Sequence, residues 1–352
     1  MKNSGGVRCW GSNDYGQLGI SNTTNMYGPP SVDVLTDVIQ IAAGAFHTCA
    51  ITRDQNGLRC WGDNFYNQLG LPSGTPSNSC SGQPCLWAPL SQNVLTGVSQ
   101  VAGGYSHTCA IMLSNGGVRC WGYMYDGELG TGSASIVQTY PATSMTILTG
   151  VLQVSSFYEH NCALLSSSGE VSCWGLNQYG GIGDGTTTNA LSPTQIGLEG
   201  VIQVAAGGFH TCALMSSLGG VRCWGWNFYG QLGTLGNATL RPPSSNVLTN
   251  AVYIAAGMYY SCAIVGREER GVQCWGSNID YELGALNIPS PVGTVVMTGV
   301  EYIATGFSHV CALMNRTLTV RCWGDNTYGQ LGIFNTAISS ILGAQAIDIE
   351  FL

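Results

Sequence analysis

The sequence predicts an all-β protein: a seven-bladed β-propeller with four antiparallel strands per blade. Three observations predict it. The tripeptide Cys-Trp-Gly occurs seven times, beginning at Cys9, Cys60, Cys120, Cys173, Cys223, Cys274 and Cys322, at spacings of 51, 60, 53, 50, 51 and 48 residues. A period near fifty marks a repeat architecture. Glycine fills 50 of the 352 positions and charged residues only 9%, which suits tight turns between strands and argues against a helical solenoid. Six of the seven tripeptides are preceded, about eleven residues upstream, by H-T-C-A or a close variant.

Residues 38 to 70 show how one repeat divides. VIQIAA is short, apolar and β-branched, and reads as a buried first strand. Gly44 breaks it. HTCAIT reads as a second strand and RDQNG as a hairpin turn, in which Asn-Gly tolerates the positive backbone angles such turns need. LRCWG is the third strand. NFYNQLG turns again, and the variable stretch before the next VIQ-like segment holds an outer fourth strand and a loop. Four antiparallel strands repeated around an axis make a propeller.

Bulk properties exclude several classes. With 11 Lys and Arg against 19 Asp and Glu, the formal net charge is -8. No basic cluster exists to contact phosphates, so nucleic acid is not an expected partner. No apolar run reaches membrane-spanning length, and the N-terminus enters a repeat without a signal-peptide core. The repeats run through the chain without a linker, so residues 1–352 read as one closed domain.

The repeat motif resembles that of the family named for the regulator of chromosome condensation (RCC1), which carries H-[ST]-x-A-L followed by G-x-V-x-x-W-G-x-N-x-x-G-Q-L-G. SNDYGQLG after Trp10, DNFYNQLG after Trp61 and DNTYGQLG after Trp323 follow that pattern. The resemblance covers nearly the whole chain and implies a seven-bladed propeller.

The 15 cysteines fall into a simple scheme. Cys49, Cys109, Cys162, Cys212, Cys262 and Cys311 lie on second strands. Their third-strand partners are Cys60, Cys120, Cys173, Cys223, Cys274 and Cys322. The separation is eleven residues in five blades and twelve in one, so the two face each other across a hairpin at bridging distance. A disulfide closing such a loop stabilises by roughly 3 kcal/mol. Cys80 and Cys85 read as one further local bridge. A zinc site does not fit, because C-x-x-C pairs are absent. Disulfide density implies an oxidising compartment, hence a secreted, extracellular or cell-surface protein. Three glycosylation sequons, at Asn22, Asn237 and Asn315, agree with it.

Cys9 is unpaired, since its partner strand would precede the first residue. AIDIEFL, residues 346–352, reads as the first strand of a further repeat. The seventh blade is therefore expected to be assembled from both termini and to lack its second strand. Two explanations stand: the chain is a fragment of a longer one, or a neighbouring molecule supplies a strand by β-augmentation.

Candidate chemistry is sparse. His47, His107, His160, His210 and His309 recur by blade, with Tyr260 in the sixth place. Each reads as holding its own blade's turn by hydrogen bonds. The competing reading, a metal-binding or pH-sensing ring, suffers because equivalent positions in different blades are held apart. The repeat tryptophans read as core. Asn13, Asn64, Asn177, Asn227, Asn278 and Asn326 read as turn formers, a series broken by Met124. No G-x-S-x-G, H-E-x-x-H or Walker loop is present; acidic residues such as Glu128 are scattered. No catalytic residue, metal or cofactor is expected. The residues just before the repeat histidines (Phe46, Tyr105, Tyr158 with Glu159, Phe209, Tyr259 and Phe307) should emerge together on one face, either as a partner-binding surface or packed over the central channel. Phe157 stands where other blades have glycine, so that turn should differ.

The resulting expectation is a non-enzymatic extracellular binding or structural module, its loops displayed to a protein or glycan, with self-assembly into a surface assembly or filament also open and no membrane insertion. The alternatives are a guanine-nucleotide exchange factor, as in the family's founder, and a secreted enzyme inhibitor of the same fold.

Overall fold

The computed structural model describes residues 5–72, 75, 77–134, 145–166, 169–286, 293–335, 337–343 and 346–349. It is a ring of radial antiparallel sheets. Blade I contains β1 (Val38–Ala43), β2 (His47–Thr52) and β3 (Gly57–Asp63), extended by the hairpin of β4 (Asn78–Cys80) and β5 (Gln83–Leu86). Blade II contains β6 (Val98–Gly103), β7 (His107–Met112) and β8 (Gly117–Gly122). Blade III contains β9 (Val151–Ser156), β10 (His160–Leu165), β11 (Val171–Gly175) and β12 (Ala190–Gln195). Blade IV is β13 (Val201–Ala206), β14 (His210–Met215) and β15 (Val221–Gly225); blade V is β16 (Ala251–Ala256), β17 (Tyr260–Val265) and β18 (Gly271–Gly276). Blade VI is β19 (Val300–Thr305), β20 (His309–Met314) and β21 (Val320–Asp325), joined by β22 (Ser340–Ile341) and β23 (Asp348–Ile349).

Burial follows strand rank. The second strand of blade I is buried at every residue because it is flanked in its own sheet and covered by neighbouring blades on both faces. The repeat tryptophans of the third strands in blades I to VI are at most 1% exposed. Trp61, for example, packs with Ile51, Leu58, Val98 and Val101 in a cluster spanning blades I and II. The core therefore lies between blades, and no blade buries its apolar faces alone.

The cysteine scheme places each pair in direct register: Cys49 opposite Cys60, Cys109 opposite Cys120, Cys162 opposite Cys173, Cys212 opposite Cys223, Cys262 opposite Cys274 and Cys311 opposite Cys322. Each pair is joined as a disulfide with its Cα atoms 4.1 Å apart. Cys80 and Cys85 are bridged across the β4–β5 hairpin. Cys9 is free and partly buried, and burial pushes its thiol up to about 12.

The C-terminal segment departs from expectation. Val7, two residues before Cys9, and Gly11 of the first Cys-Trp-Gly pair with the outer segments at Leu35 and Met26. The C-terminal strand does not join them as a first strand. Instead β23 pairs with β21, Ile349 opposite Val320. The physical reason is register. In other blades the residue two before the third-strand cysteine pairs with an outer apolar residue: Leu58 with Leu95, Val118 with Leu148, Val221 with Leu248 and Val272 with Met297. Ile349 fills that outer position in blade VI, and an alternating apolar stretch such as AIDI satisfies either role locally. Residues 350–352 lie outside the described residues.

Candidate partner-binding face

The turn between first and second strands, and the N-x-x-G-Q-L-G loop after the third, emerge at the same end of each blade. In that loop the asparagine works as the sequence suggests. The Asn64 side-chain oxygen accepts from Leu69 N at 3.1 Å, Asn177 from Ile182 N at 3.0 Å and Asn227 from Leu232 N at 2.9 Å. Folding the loop inward leaves one backbone carbonyl aimed at the next blade. The carbonyl of Gln68 accepts from Trp121 Nε1 at 2.9 Å and from Thr108 Oγ1 at 2.8 Å. Equivalent indole bonds run from Trp61 to Gln17, Trp174 to Glu128, Trp224 to Gly181, Trp275 to Gln231 and Trp323 to Glu282. The repeat tryptophan is thus a core residue whose one polar atom links two blades.

The histidines act between blades too, which corrects the expectation that each holds its own turn. His47 Nε2 meets Thr108 Oγ1 at 2.9 Å, His107 meets Asn161 Oδ1 at 2.8 Å, His160 meets Thr211 Oγ1 at 2.9 Å and His210 meets Ser261 Oγ at 2.8 Å, always in the following blade. The hydroxyls of Thr108, Thr211 and Ser261 already donate to carbonyls, so they accept from the ring and fix the Nε2–H tautomer. Burial pushes His47 and His210 down to about 3 and His107 down to about 4. Tyr260 fills the same place in blade V, donating to His309 O at 2.6 Å. The glycine before each ring is a packing requirement: a Cβ on Gly104 would stand 2.1 Å from His107 Cε1. In blade III Phe157 takes that place, and Tyr105 N bonds the carbonyl of Tyr158, one residue later than the Gly104 carbonyl taken by Ala45 N.

Above this belt the six aromatic side chains meet edge to face or stacked around the channel mouth. Phe46 lies 5.5 Å from Tyr105, Tyr105 lies 5.1 Å from Tyr158, and Tyr158 lies 5.2 Å from Phe209. Phe209 continues to Tyr259 at 6.3 Å and Tyr259 to Phe307 at 6.2 Å. These rings pack on one another and stay partly exposed. A second aromatic tier from the N-x-x-G-Q-L-G loops extends them outward. Trp226 contacts Phe209 and stacks on Phe228, which is 77% exposed. Tyr66, Tyr123 and Tyr125 form another run. The second tier was missed from sequence, although the tyrosine two residues after Asn13, Asn64, Asn177, Asn227 and Asn326 was its signal.

Glu159 does not join the collar. It meets Asp126 and Glu128, with one oxygen from each carboxylate within 4.8 Å of the others. Asp126 is held by Asn189 Nδ2 at 2.7 Å. Burial, with neighbouring carboxylates adding, pushes Glu128 up to about 8 and Glu159 up to about 7. The sequon residues Asn22 and Asn237 are exposed, and Asn315 is partly buried in the β20–β21 turn.

A ring of radial sheets locked by indole-to-carbonyl bonds defines a repeat-type β-propeller. The chain belongs to the RCC1-like domain family, which matches residues 1–291, and an RCC1 (regulator of chromosome condensation) repeat matches residues 300–330. It is 30% identical to the ultraviolet-B receptor UVR8 of Arabidopsis thaliana over 203 residues, 54% of this chain and 42% of that one. It is 32% identical to the human E3 ubiquitin-protein ligase HERC2 over 208 residues, 56% of this chain and 4% of that one. The chain thus spans less than half the length of these curated relatives. Prp20p from Saccharomyces cerevisiae superposes with a TM-score of 0.79 at 20% identity, over 99% of this chain and 87% of that structure, a likeness of fold. Among the described residues no helix is long and apolar enough to cross a membrane.

Proposed function

We propose that the chain is a non-catalytic binding module of an oxidising, extracellular compartment, and that its aromatic face docks a protein partner. The observation that carries the reading is the two-tier aromatic surface. Rings held by one another are rigid and amphipathic, and cost little entropy on binding. Phe65, Tyr125, Phe228 and Phe307 present exposed edges there, whereas aromatic residues in a ring serving only the core would be covered. Family kinship adds that a relation of fold, Prp20p, has been studied for its binding to Gsp1p and histones. That surface of contact is a property of Prp20p, and the acidic balance here suits a different partner.

The extracellular half of the reading rests on the cysteines. A cytosolic exchange factor would keep its thiols reduced. Thiol labelling of the chain from its native source, unfolded in denaturant without reductant so that buried Cys9 is reached, tests this: one labelled thiol per chain, Cys9, supports the reading, and 15 sink it in favour of an exchange factor. The docking half is tested by placing a photoreactive side chain at Phe228 or at Leu218, which sits in the β14–β15 hairpin at the opposite end. Cross-linking of a partner from Phe228 alone is expected; equal capture from Leu218 would remove the assignment of the face.

A further inference from the structure

We propose that Asp126, Glu128 and Glu159 form a binding site for a hard divalent cation of the calcium class at the seam of blades II and III. Three carboxylates each bring one oxygen within 4.8 Å of the others. Oxygens bound to one Ca²⁺ at about 2.3–2.6 Å lie no more than roughly 5 Å apart, so the three already stand at the spacing of a shared cation.

Glu128 supplies the independent observation. It is 0% exposed, its Oε2 accepts from Asp126 N at 2.9 Å, and its Oε1 has no partner. A buried carboxylate oxygen without a donor is costly. Comparison between blades shows what is missing. In blade I the equivalent Gln68 accepts from Tyr66 N and donates to Asp63 Oδ2 at 2.6 Å. In blade V the equivalent Glu282 accepts from Asp280 N and from Ser277 Oγ. In blade II the position of Asp63 and Ser277 is Tyr123, and Oε1 is left open. Blade IV has Trp226 there, and the Gln231 Nε2 is likewise unpartnered, but it is a neutral amide with no carboxylates beside it. Among the described residues, only in blade II is the orphan a carboxyl oxygen, and it meets two further acids, one from the next blade.

The remaining parts suit a cation better than an accident of packing. Asn189 holds Asp126 through Nδ2 at 2.7 Å while its own oxygen accepts from Asn177 N, an orienting bond of the kind that supports metal ligands. Burial and mutual repulsion raise Glu128 and Glu159, an electrostatic strain that a divalent ion would relieve. Oxygen-only donors select hard ions over zinc or copper.

The test uses the full chain with metal removed, titrated calorimetrically with CaCl₂ at pH 7.5. One ion per chain is expected. Glu128→Gln and Glu159→Gln should each weaken binding by at least about tenfold. Glu282→Gln, the matched acid without a cluster, should change it less than about twofold. Glu128→Gln installs the residue that blades I, IV and VI already carry (Gln68, Gln231, Gln330), so the variant is expected to fold, and its melting temperature should lose the rise that Ca²⁺ produces in the parent chain. No binding of Ca²⁺, Mg²⁺ or Mn²⁺ at millimolar concentration would overturn the proposal. So would binding that survives both substitutions, or a cluster that takes up a proton and no cation.

Discussion

The indole Nε1 of Trp10 donates to the carbonyl of Gln330 at 3.0 Å, across 320 residues of sequence. This bond is the seventh of a closed set, since every other repeat tryptophan makes the same contact to the blade before it. It joins the sixth blade to the first Cys-Trp-Gly, which among the described residues forms a β-bridge only with an outer segment. Trp10→Phe keeps most of the ring and removes the donor, leaving the Gln330 carbonyl short of a partner. The expected loss is about 1–3 kcal/mol, visible as a lower denaturant midpoint. Proteolysis should then begin in the first 35 residues. A Trp10→Phe chain as stable as the parent would show that the blades are closed by packing alone.

Disulfides act inside blades and indoles between them, so removing one bridge should unfold a blade locally before it opens the ring. Replacing both Cys109 and Cys120 by alanine deletes the staple of blade II. The expected cost is about 3 kcal/mol for an eleven-residue loop. Hydrogen exchange should speed up mainly in β7 and β8, with β14 and β15 unchanged. Uniform loss of protection would mean that the ring unfolds as one unit.

The parts legible in sequence were those repeated in it. Cys-Trp-Gly at a fifty-residue period shows the blades, and the eleven-residue offset to H-T-C-A shows that Cys49 and Cys60 oppose each other. What escaped was contact between blades. His47 and Thr108 are 61 residues apart, and nothing local in H-T says that the histidine of one blade binds the threonine of the next. Asp126 and Glu159 escaped for the same reason. Each belongs to a different repeat, and both sit where the repeat departs from its own pattern, beside Tyr123 and after Phe157. The role of residues 346–349 escaped because inner and outer strands have the same alternation, and only pairing to β21 distinguishes them.

The collar predicts a separation of stability from binding. Phe209 touches Tyr158, Tyr179 and Trp226, and each such aromatic pair contributes about 0.5–1.5 kcal/mol beyond area. Phe209→Leu should therefore lower the melting temperature modestly. Phe228→Ala, at an exposed ring, should leave it unchanged. Both should weaken partner binding by at least about tenfold, as central aromatic anchors do, read as the dissociation constant by surface plasmon resonance. Intact binding in both variants would place the contact elsewhere on the disc.

The histidine belt sets a pH dependence with a definite sign. The folded values of His47, His107 and His210 lie near 3 to 4, below the ordinary 6.5. The unfolded chain therefore binds more protons than the folded one between those limits. Stability from each ring is fully present above pH 6.5 and is lost as pH falls toward the folded value. At pH 5 the loss is about 2 kcal/mol per histidine. Buried Glu128 and Glu159 run the other way, because they hold protons in the folded state above the ordinary carboxylate range. A simple pH titration therefore mixes opposite slopes, and the informative measurement is a difference. His210→Gln removes one titrating ring while keeping a donor for Ser261. Unfolding free energies of parent and variant at pH 7.5 and pH 5 should show a fall that is smaller in the variant by about 2 kcal/mol. Equal falls would mean that His210 takes up a proton in the folded protein, and that its bond to Ser261 survives the charge.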